Sequence, residues 1–356
     1  VFYGSERKQI TNEELEKAPL IITSYTTLLV DSKKDKRIAN RKWDRVIFDE
    51  AHYMRNPKSK IYKHVKKMNI KIRWMLTATP LQNKRGDFYA LCRLLKFTLK
   101  DILNDENENF IETIMLRRTK EDVGLDNIKV HTKFENIGWT PVEEELGQEY
   151  HDGFHFSNLR REGRRLPGHE ILKQMLRAKQ LCVQPSLVPE ASFVTDTSKI
   201  DNIINKIVER KNNGNRKIIF SHFRGEIDTL RDRLHEHSFS VAAIDGRTSK
   251  KQKQLILAND YDVLLLQLKV GSEGLNLQQY NEIYFVSPSW NPFMEDQAVG
   301  RCNRIGQEKD VYVYRFSMNH LTPYERIEDI VQGKNIENYS YGIQKQKKEL
   351  FHQLFN

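Results

Sequence analysis

Two short segments carry side chains whose chemistry is complementary. Asp49 and Glu50, with His52 two positions on, directly follow the apolar run Arg45–Phe48. A carboxylate at the end of such a run can hold Mg²⁺ through water, and its neighbour can polarise an attacking water. Far along the chain, Gln297–Gln307 places Gln297, Arg301 and Arg304 at spacings of four and then three. On a helix all three would share one face. Their neighbours Ala298, Val299, Gly300 and Cys302 carry no charge, unlike an ordinary solvated basic face. Carboxylates that hold a metal and guanidinium groups that neutralise a γ-phosphate are the two requirements of phosphoryl transfer from a nucleotide. Their wide separation predicts two lobes that close on one nucleotide.

Other positions admit two readings each. Thr77 and Thr79, in Leu76–Pro80, could relay between the acidic pair and the second lobe, or simply cap the turn after a strand. Gly271 and Gly274 let a backbone approach phosphate closely, or make a tight turn. From Arg55 to Arg73 there are six lysines and no acidic residue. That stretch suits a phosphate backbone, and equally a solvated helix face.

The elements needed to position these groups are legible in outline. Pro19–Ser24, Arg45–Asp49 and Ile72–Thr77 read as short buried strands with polar residues at their carboxyl ends. Ligands of open parallel sheets bind beyond those ends. Residues from about 121 to 197 hold helical stretches, a basic cluster (Arg160, Arg161, Arg164, Arg165) and no run of strands. Ile200, Ile203, Ile204 and Ile207 then mark one helix face. Strands are expected at Lys217–Phe220, Val241–Ile244, Val263–Leu266 and Ile283–Val286, alternating with helices. The polar, Lys-rich tail from about Ser317 reads as helical.

Composition bounds the class. A chain of 356 residues favours two domains. The formal charge of +10 suggests a polyanionic partner, most plausibly nucleic acid, or a merely soluble basic surface. Cys92, Cys182 and Cys302 are too far apart for a CxxC metal site and suggest a reducing compartment. No apolar run approaches the roughly 20 residues of a membrane span.

At this point the residues resemble a family: the SWI/SNF-type ATPases, helicase-like translocases of double-stranded DNA. Ile22–Leu28 is similar to its nucleic-acid-contacting motif Ib, Asp49–His52 to motif II, and Leu76–Asn83 to motif III. Met115–Lys120, with Asp122 and Val123, is similar to the LRRTKxDV segment, and Leu181–Pro185 to the CNHP element except at its Asn-His pair. Ile219–Phe223 resembles motif IV, Ile244–Ser249 the following DGxTS, and Leu268–Leu277 motif V. Trp290–Pro292, Glu295, Gln297, Arg301 and Arg304–Gln307 resemble motifs Va and VI. The Trp-Asn-Pro form leans toward the repair-associated branch, though three scattered cysteines leave no RING insert.

The resemblance implies an α/β fold of two RecA-like parallel-sheet lobes, the first incomplete, joined by a helical insertion. Its expected bounds are lobe 1 at 1–125, a connector at 126–197, lobe 2 at 198–316 and a helical tail at 317–356. It implies ATP and Mg²⁺ as cofactors, with Asp49 holding the metal through water, Glu50 orienting water, and Arg301 and Arg304 as arginine fingers beside Gln297. His52, Thr77 and Thr79 would couple the lobes, and Gly271 and Gly274 would approach phosphate. Thr23, Ser24, Ser221, Lys269, Ser272, Asn276 and Trp290 would contact the backbone of double-stranded DNA. Nucleosomes or repair and transcription proteins are the further partners it suggests, in a nuclear setting, or a cytoplasmic one for a prokaryotic or viral source.

The family's GxxxxGK[ST] phosphate loop occurs nowhere in the sequence. An amino-terminally truncated sequence is the expectation, leaving this chain inactive alone. Two rival readings stay open: a non-catalytic DNA-binding scaffold, and a strand-separating helicase of the same superfamily.

Overall fold

The computed structural model describes residues 1–34, 36–103, 110–124, 128–151, 160–161, 164–165, 168–271, 274–321 and 335–355. They form two compact units, one of Val1–Leu116 with Glu349–Asn356 and the other of Arg117–Lys348. The expected α/β class is what is observed, built on parallel sheets.

In the N-terminal unit, β1 (Trp43–Phe48) and β2 (Ile70–Met75) pair in parallel, with Ile47 beside Trp74 and Phe48 beside Met75. Phe48, Met54, Ile61, Tyr62, Val65 and Leu91 pack on one side of this pair. The helix Lys60–Lys67 starts at Ser59, whose hydroxyl accepts from the Tyr62 amide. It buries Ile61, Tyr62 and Val65, and its lysines, like Lys58 and Lys71, face solvent. On the other side of the sheet Ile47, Trp74 and Leu76 are about half exposed, at 51%, 48% and 51%. Arg45 stacks on the Trp74 ring at 4.6 Å and covers part of it. Parallel sheets normally carry cover on both faces, so this is an unusual apolar surface.

Pro19–Ser24 does not form the expected strand. Only an isolated bridge from Phe2 to Thr23 is present. Ser24 instead caps the helix Tyr25–Lys33, accepting from the Thr27 amide, and a capping residue commits the chain to the helix.

The second unit holds a six-stranded, all-parallel sheet in the order β3-β10-β9-β6-β8-β7. Two further residues pairs, β4 (Arg160–Arg161) and β5 (Arg164–Arg165), form a separate short antiparallel ladder. Three of the six strands lie near their expected places: β6 (Lys217–Ser221), β7 (Val241–Ile244) and β8 (Val263–Gln267). The fourth expected strand is β9 (Glu282–Phe285). Two were not expected: β3 (Val130–Ile137), on the sheet edge, and β10 (Val311–Met318), which pairs with it residue for residue. The stretch 126–197 is therefore not purely a helical connector, because its first strand completes the second sheet.

Alternation along the strands splits the core into two layers. Ile219 and Leu265 face the helices Ser198–Glu209 and Arg224–Glu236, while Ile218, Phe220, Leu264 and Leu266 face the helix Pro292–Cys302. Burial of Ile200, Ile203, Ile204 and Ile207 stabilises the first layer by about 1.5–3 kcal/mol each.

The C-terminal helix Ile336–Phe355 is not a free tail. Ile336 and Glu337 are fully buried. The Glu337 carboxylate accepts from Lys199 Nζ at 2.6 and 2.7 Å, from Ser287 Oγ at 2.5 Å and from the Met318 amide at 2.8 Å. Removing one member of a buried pair leaves an uncompensated charge. Glu337→Ala is expected to destabilise the second unit by about 3–5 kcal/mol, while the matched Lys199→Met/Glu337→Leu replacement recovers part of the loss. Urea unfolding of the two variants checks this, and equal losses would show that the ion pair is not what matters.

Candidate nucleotide and nucleic-acid site

In the N-terminal unit the chain turns sharply as β1 ends. Asp49 is exposed, its Oδ1 accepting from the Glu50 amide at 3.0 Å, and its carbonyl accepts from Tyr25 Oη at 2.7 Å. Glu50 has φ +48, a left-handed conformation that costs a non-glycine residue energy. The turn is held by reciprocal backbone bonds, Leu76 N to Phe48 O and Ala51 N to Leu76 O, both 2.9 Å. Strain of this kind persists where the surroundings over-determine it, and such sites are often functional.

The consequence is a short polar chain. Glu50 Oε2 lies 3.1 Å from His52 Nδ1, and the same nitrogen is 3.4 Å from Thr77 Oγ1. Thr77 Oγ1 accepts from the Thr79 amide at 3.1 Å, and buried Thr79 accepts from Gln82 Nε2 at 3.2 Å. Burial, assisted by the nearby Arg55 charge, pushes the His52 pKa down to about 4. The adjacent Glu50 carboxylate would favour the charged ring, but desolvation outweighs it, so the ring is neutral at pH 7. Burial, then the Asp49 and Glu50 charges, push the Tyr25 hydroxyl far above its usual range.

Mg²⁺ takes few protein ligands and keeps water and phosphate around it. The exposed Asp49 carboxylate fits that requirement. Among the described residues no cluster of three or more His, Cys, Asp or Glu could form an all-protein cage. The phosphates of a nucleotide have no GxxxxGK[ST] cradle in this sequence.

In the second unit the strand order reverses at β6, between β8 and β9, and the loops beyond these three carboxyl ends hold most of the predicted contacts. Lys269 and Asn276 are exposed there. Gly271 ends a short helix and Gly274 turns the chain at φ +53 with open space around it. Ser272 lies outside the described residues.

Three predicted contacts are buried or engaged within the fold. Ser221 is fully buried at the end of β6 and has no surface to offer a phosphate. Trp290 packs on the core and meets the Tyr339 ring edge-on at 5.8 Å. In the N-terminal unit the Ser24 hydroxyl is engaged as a helix cap. Thr23 is exposed, with its hydroxyl donating to Phe2 O at 2.8 Å.

Gln297 and Arg301 lie on the helix Pro292–Cys302, whose opposite face buries Glu295, Ala298 and Cys302. Arg304 does not share that helix. Asn303 leaves helical geometry at φ −89, ψ 74, and Gly306, at φ +96, turns the following loop. The i, i+3 spacing of Arg301 and Arg304 therefore spans a helix end, not one helical face. Arg301 and Arg304 are both half-buried.

Two cations were given no site role by the sequence. Arg224 is exposed just past β6, its guanidinium lying where a Gly246 side chain would go, 2.9 Å from the Cβ position. Its signal was its place immediately after the motif IV segment. Lys120 is the other, and it reaches the arginine loop from the start of this unit.

Comparison with known proteins defines the class. Residues 1–111 match the SNF2-related domain and residues 198–306 the helicase conserved C-terminal domain. The chain therefore carries both an SNF2-related domain and a helicase conserved C-terminal domain. It is 28% identical over 362 residues to the ISWI chromatin-remodeling complex ATPase ISW2 of Saccharomyces cerevisiae, across 89% of this chain and 31% of that protein. It is 25% identical to a probable global transactivator of Orgyia pseudotsugata multicapsid polyhedrosis virus, across 94% of this chain and 74% of that one. A solved Sulfolobus solfataricus SWI2/SNF2 ATPase core in complex with dsDNA is 25% identical, with a TM-score of 0.47, covering 99% of this chain and 79% of that chain. The chain spans 31% to 33% of the length of the first curated relatives it matches. No helix among the described residues is long and apolar enough to cross a membrane.

An exposed imidazole protonates near pH 6.5, whereas folded His52 holds out to about pH 4. Between those values the unfolded chain binds the extra proton, so the N-terminal unit loses stability as pH falls through that window. An NMR titration is expected to place the His52 midpoint near 4. A midpoint at the ordinary imidazole value would mean the ring is solvated and the Glu50–His52–Thr77 chain is not formed.

Proposed function

We propose that this protein is an ATP-dependent translocase of double-stranded DNA. The observation that carries the reading is the strained Glu50, held at the end of β1 in contact with His52, which also approaches Thr77. A merely solvated Asp-Glu pair needs neither the left-handed backbone nor a half-buried imidazole beside it. Bound Mg²⁺ would supply charge neutralisation for the nucleotide's phosphates. Asp49 would hold that ion largely through water, and Glu50 would orient the attacking water and accept its proton. Arg301 and Arg304 would neutralise charge developing on the γ-phosphate. His52, Thr77 and Thr79 would report the state of Glu50 to the neighbouring loop.

Contact with DNA would be to the phosphate backbone and indifferent to sequence, through Lys269, Asn276 and Arg224 at the ends of the central strands. The exposed lysines from Lys58 to Lys71 add to the positive surface. Nucleosomes or repair and transcription factors are the partners this activity would serve, and a nucleus is the natural compartment in a cell that has one.

DNA-stimulated ATP turnover by the native gene product tests the reading. Glu50→Gln and Arg304→Ala are each expected to lower turnover by about a thousandfold, the scale of arginine-finger loss. Wild-type turnover in either variant would sink the assignment. Duplex binding is expected to weaken steeply with salt, and binding that ignores ATP altogether would favour the scaffold reading. Unwinding of a blunt duplex would favour the strand-separating one.

A further inference from the structure

The loop bearing Arg304 is tied down by groups from two distant parts of the second unit. Lys120 Nζ donates to Asn303 O at 2.5 Å and to Asn303 Oδ1 at 2.7 Å. Asn303 sits between the two arginines and ends the helix that carries Arg301. A cation at that point satisfies a carbonyl that the helix leaves open and meets the negative end of the helix dipole.

From the other side comes the segment after Gly274. Leu277 N donates to Arg301 O at 3.2 Å, and Gln278 Nε2 donates to Ile305 O. Gln307 Nε2 returns two bonds, to Gln278 O at 2.8 Å and to Cys302 O at 3.2 Å. Gln307 Oε1 accepts from the Glu308 and Lys309 amides at 3.1 Å. Gln307 thus ties the loop both to its own backbone and to the segment after Gly274. Gly306 fits because its φ of +96 is a conformation that side chains rarely adopt.

The local sequence explains how Lys120 is aimed. Thr119 N donates to Asp122 Oδ2 at 2.6 Å and Asp122 N to Thr119 Oγ1 at 3.2 Å. This reciprocal box fixes the short turn Glu121–Val123 and with it the base of the Lys120 side chain. Bonds with Thr119 hold the Asp122 carboxyl below its ordinary value. Asn276, predicted to meet DNA, joins the same network, since Asn276 Nδ2 donates to Gln278 Oε1 at 3.1 Å.

We propose that Lys120 and Gln278 are positioning residues that together set the conformation of the arginine loop, Arg301–Gln307. Lys120 does so from the segment by which the chain enters this unit, and Gln278 from the loop that follows β8. Both inputs converge on the stretch between Arg301 and Arg304. The arginines answer to the position of the entry segment and to whatever Asn276 touches. The ammonium of Lys120 is partly buried, which lowers its pKa. The catalytic meaning of this arrangement rests on the arginine roles proposed above, while the tether itself does not.

Hydrogen exchange on the 356-residue chain separates the two. Lys120→Ala is expected to speed exchange of the Asn303 and Gln307 amides about tenfold, the scale of losing a charged hydrogen bond. Amides of β6 and β8 should be unchanged, which controls for unfolding. Gln278→Ala should do the same at Leu277 and Gln307, and Lys120→Arg should restore protection. Unchanged exchange in both alanine variants would overturn the tether. In the native gene product Lys120→Ala is expected to lower kcat at least tenfold with little change in the KM for ATP, and Lys120→Arg to restore most of it. If Arg304→Ala leaves turnover intact while the exchange result holds, the arginine role fails and the tether stands. If exchange responds but kcat does not, the tether is structural only and the positioning role is refuted.

Discussion

One carboxylate organises the second unit. Glu337 is fully buried and gathers Lys199, Ser287 and the Met318 amide, so a single side chain joins two helices, the loop after β9 and the end of β10. Desolvating a charge is expensive unless its lone pairs are filled, and here four contacts fill them. The loop pinned at Ser287 runs on through Ser289 and Trp290, whose carbonyls accept from Gln344 and Lys347 of the C-terminal helix. It then starts the helix bearing Gln297 and Arg301. Buried Glu295 on that helix is matched by Arg315 of β10. Displaying two arginines therefore depends on a polar frame built beneath them.

The two candidate clusters solve the same problem differently. The acidic cluster is local: Asp49, Glu50, His52, Thr77 and Thr79 come from two neighbouring strand ends, and backbone bonds between them force Glu50 into its strained turn. The arginine loop is assembled from afar, with groups more than 180 residues apart in sequence meeting at Asn303. A local cluster keeps its shape wherever its sheet is intact. A distributed one responds to movement of any of its supports.

That difference decided what could be read from the sequence. Asp49–His52 and Leu76–Pro80 were legible because an apolar strand followed by polar residues is a local pattern. β6, β8 and β9 were legible for the same reason, being buried on both faces. β3 was not: His131, Thr132, Lys133 and Glu135 give an edge strand little apolar signal, and only Ile137 is buried. Its partner β10 mixes valine, tyrosine, arginine and phenylalanine and lies far downstream. Pro19–Ser24 had the composition of a strand, but Ser24 was already committed as a helix cap. Spacing alone placed Arg304 on a helix that Asn303 had ended. Ser221 and Trp290 show the remaining limit, since a motif marks where a residue sits along the chain and not which way its surface is turned.

The pairing of β3 with β10 has a consequence for synthesis. The chain between them contains every other strand of the sheet, and β3 has nothing to pair with until β10 has been made. Closing so long a loop costs entropy before any ladder bond repays it. As the polypeptide emerges, β1 and β2 can form with their own helices while β3 still waits. Lys120 waits with it, because Asn303 comes late. A ribosome that stalls before residue 311 leaves a chain whose acidic cluster can be built while β3 still lacks its partner strand.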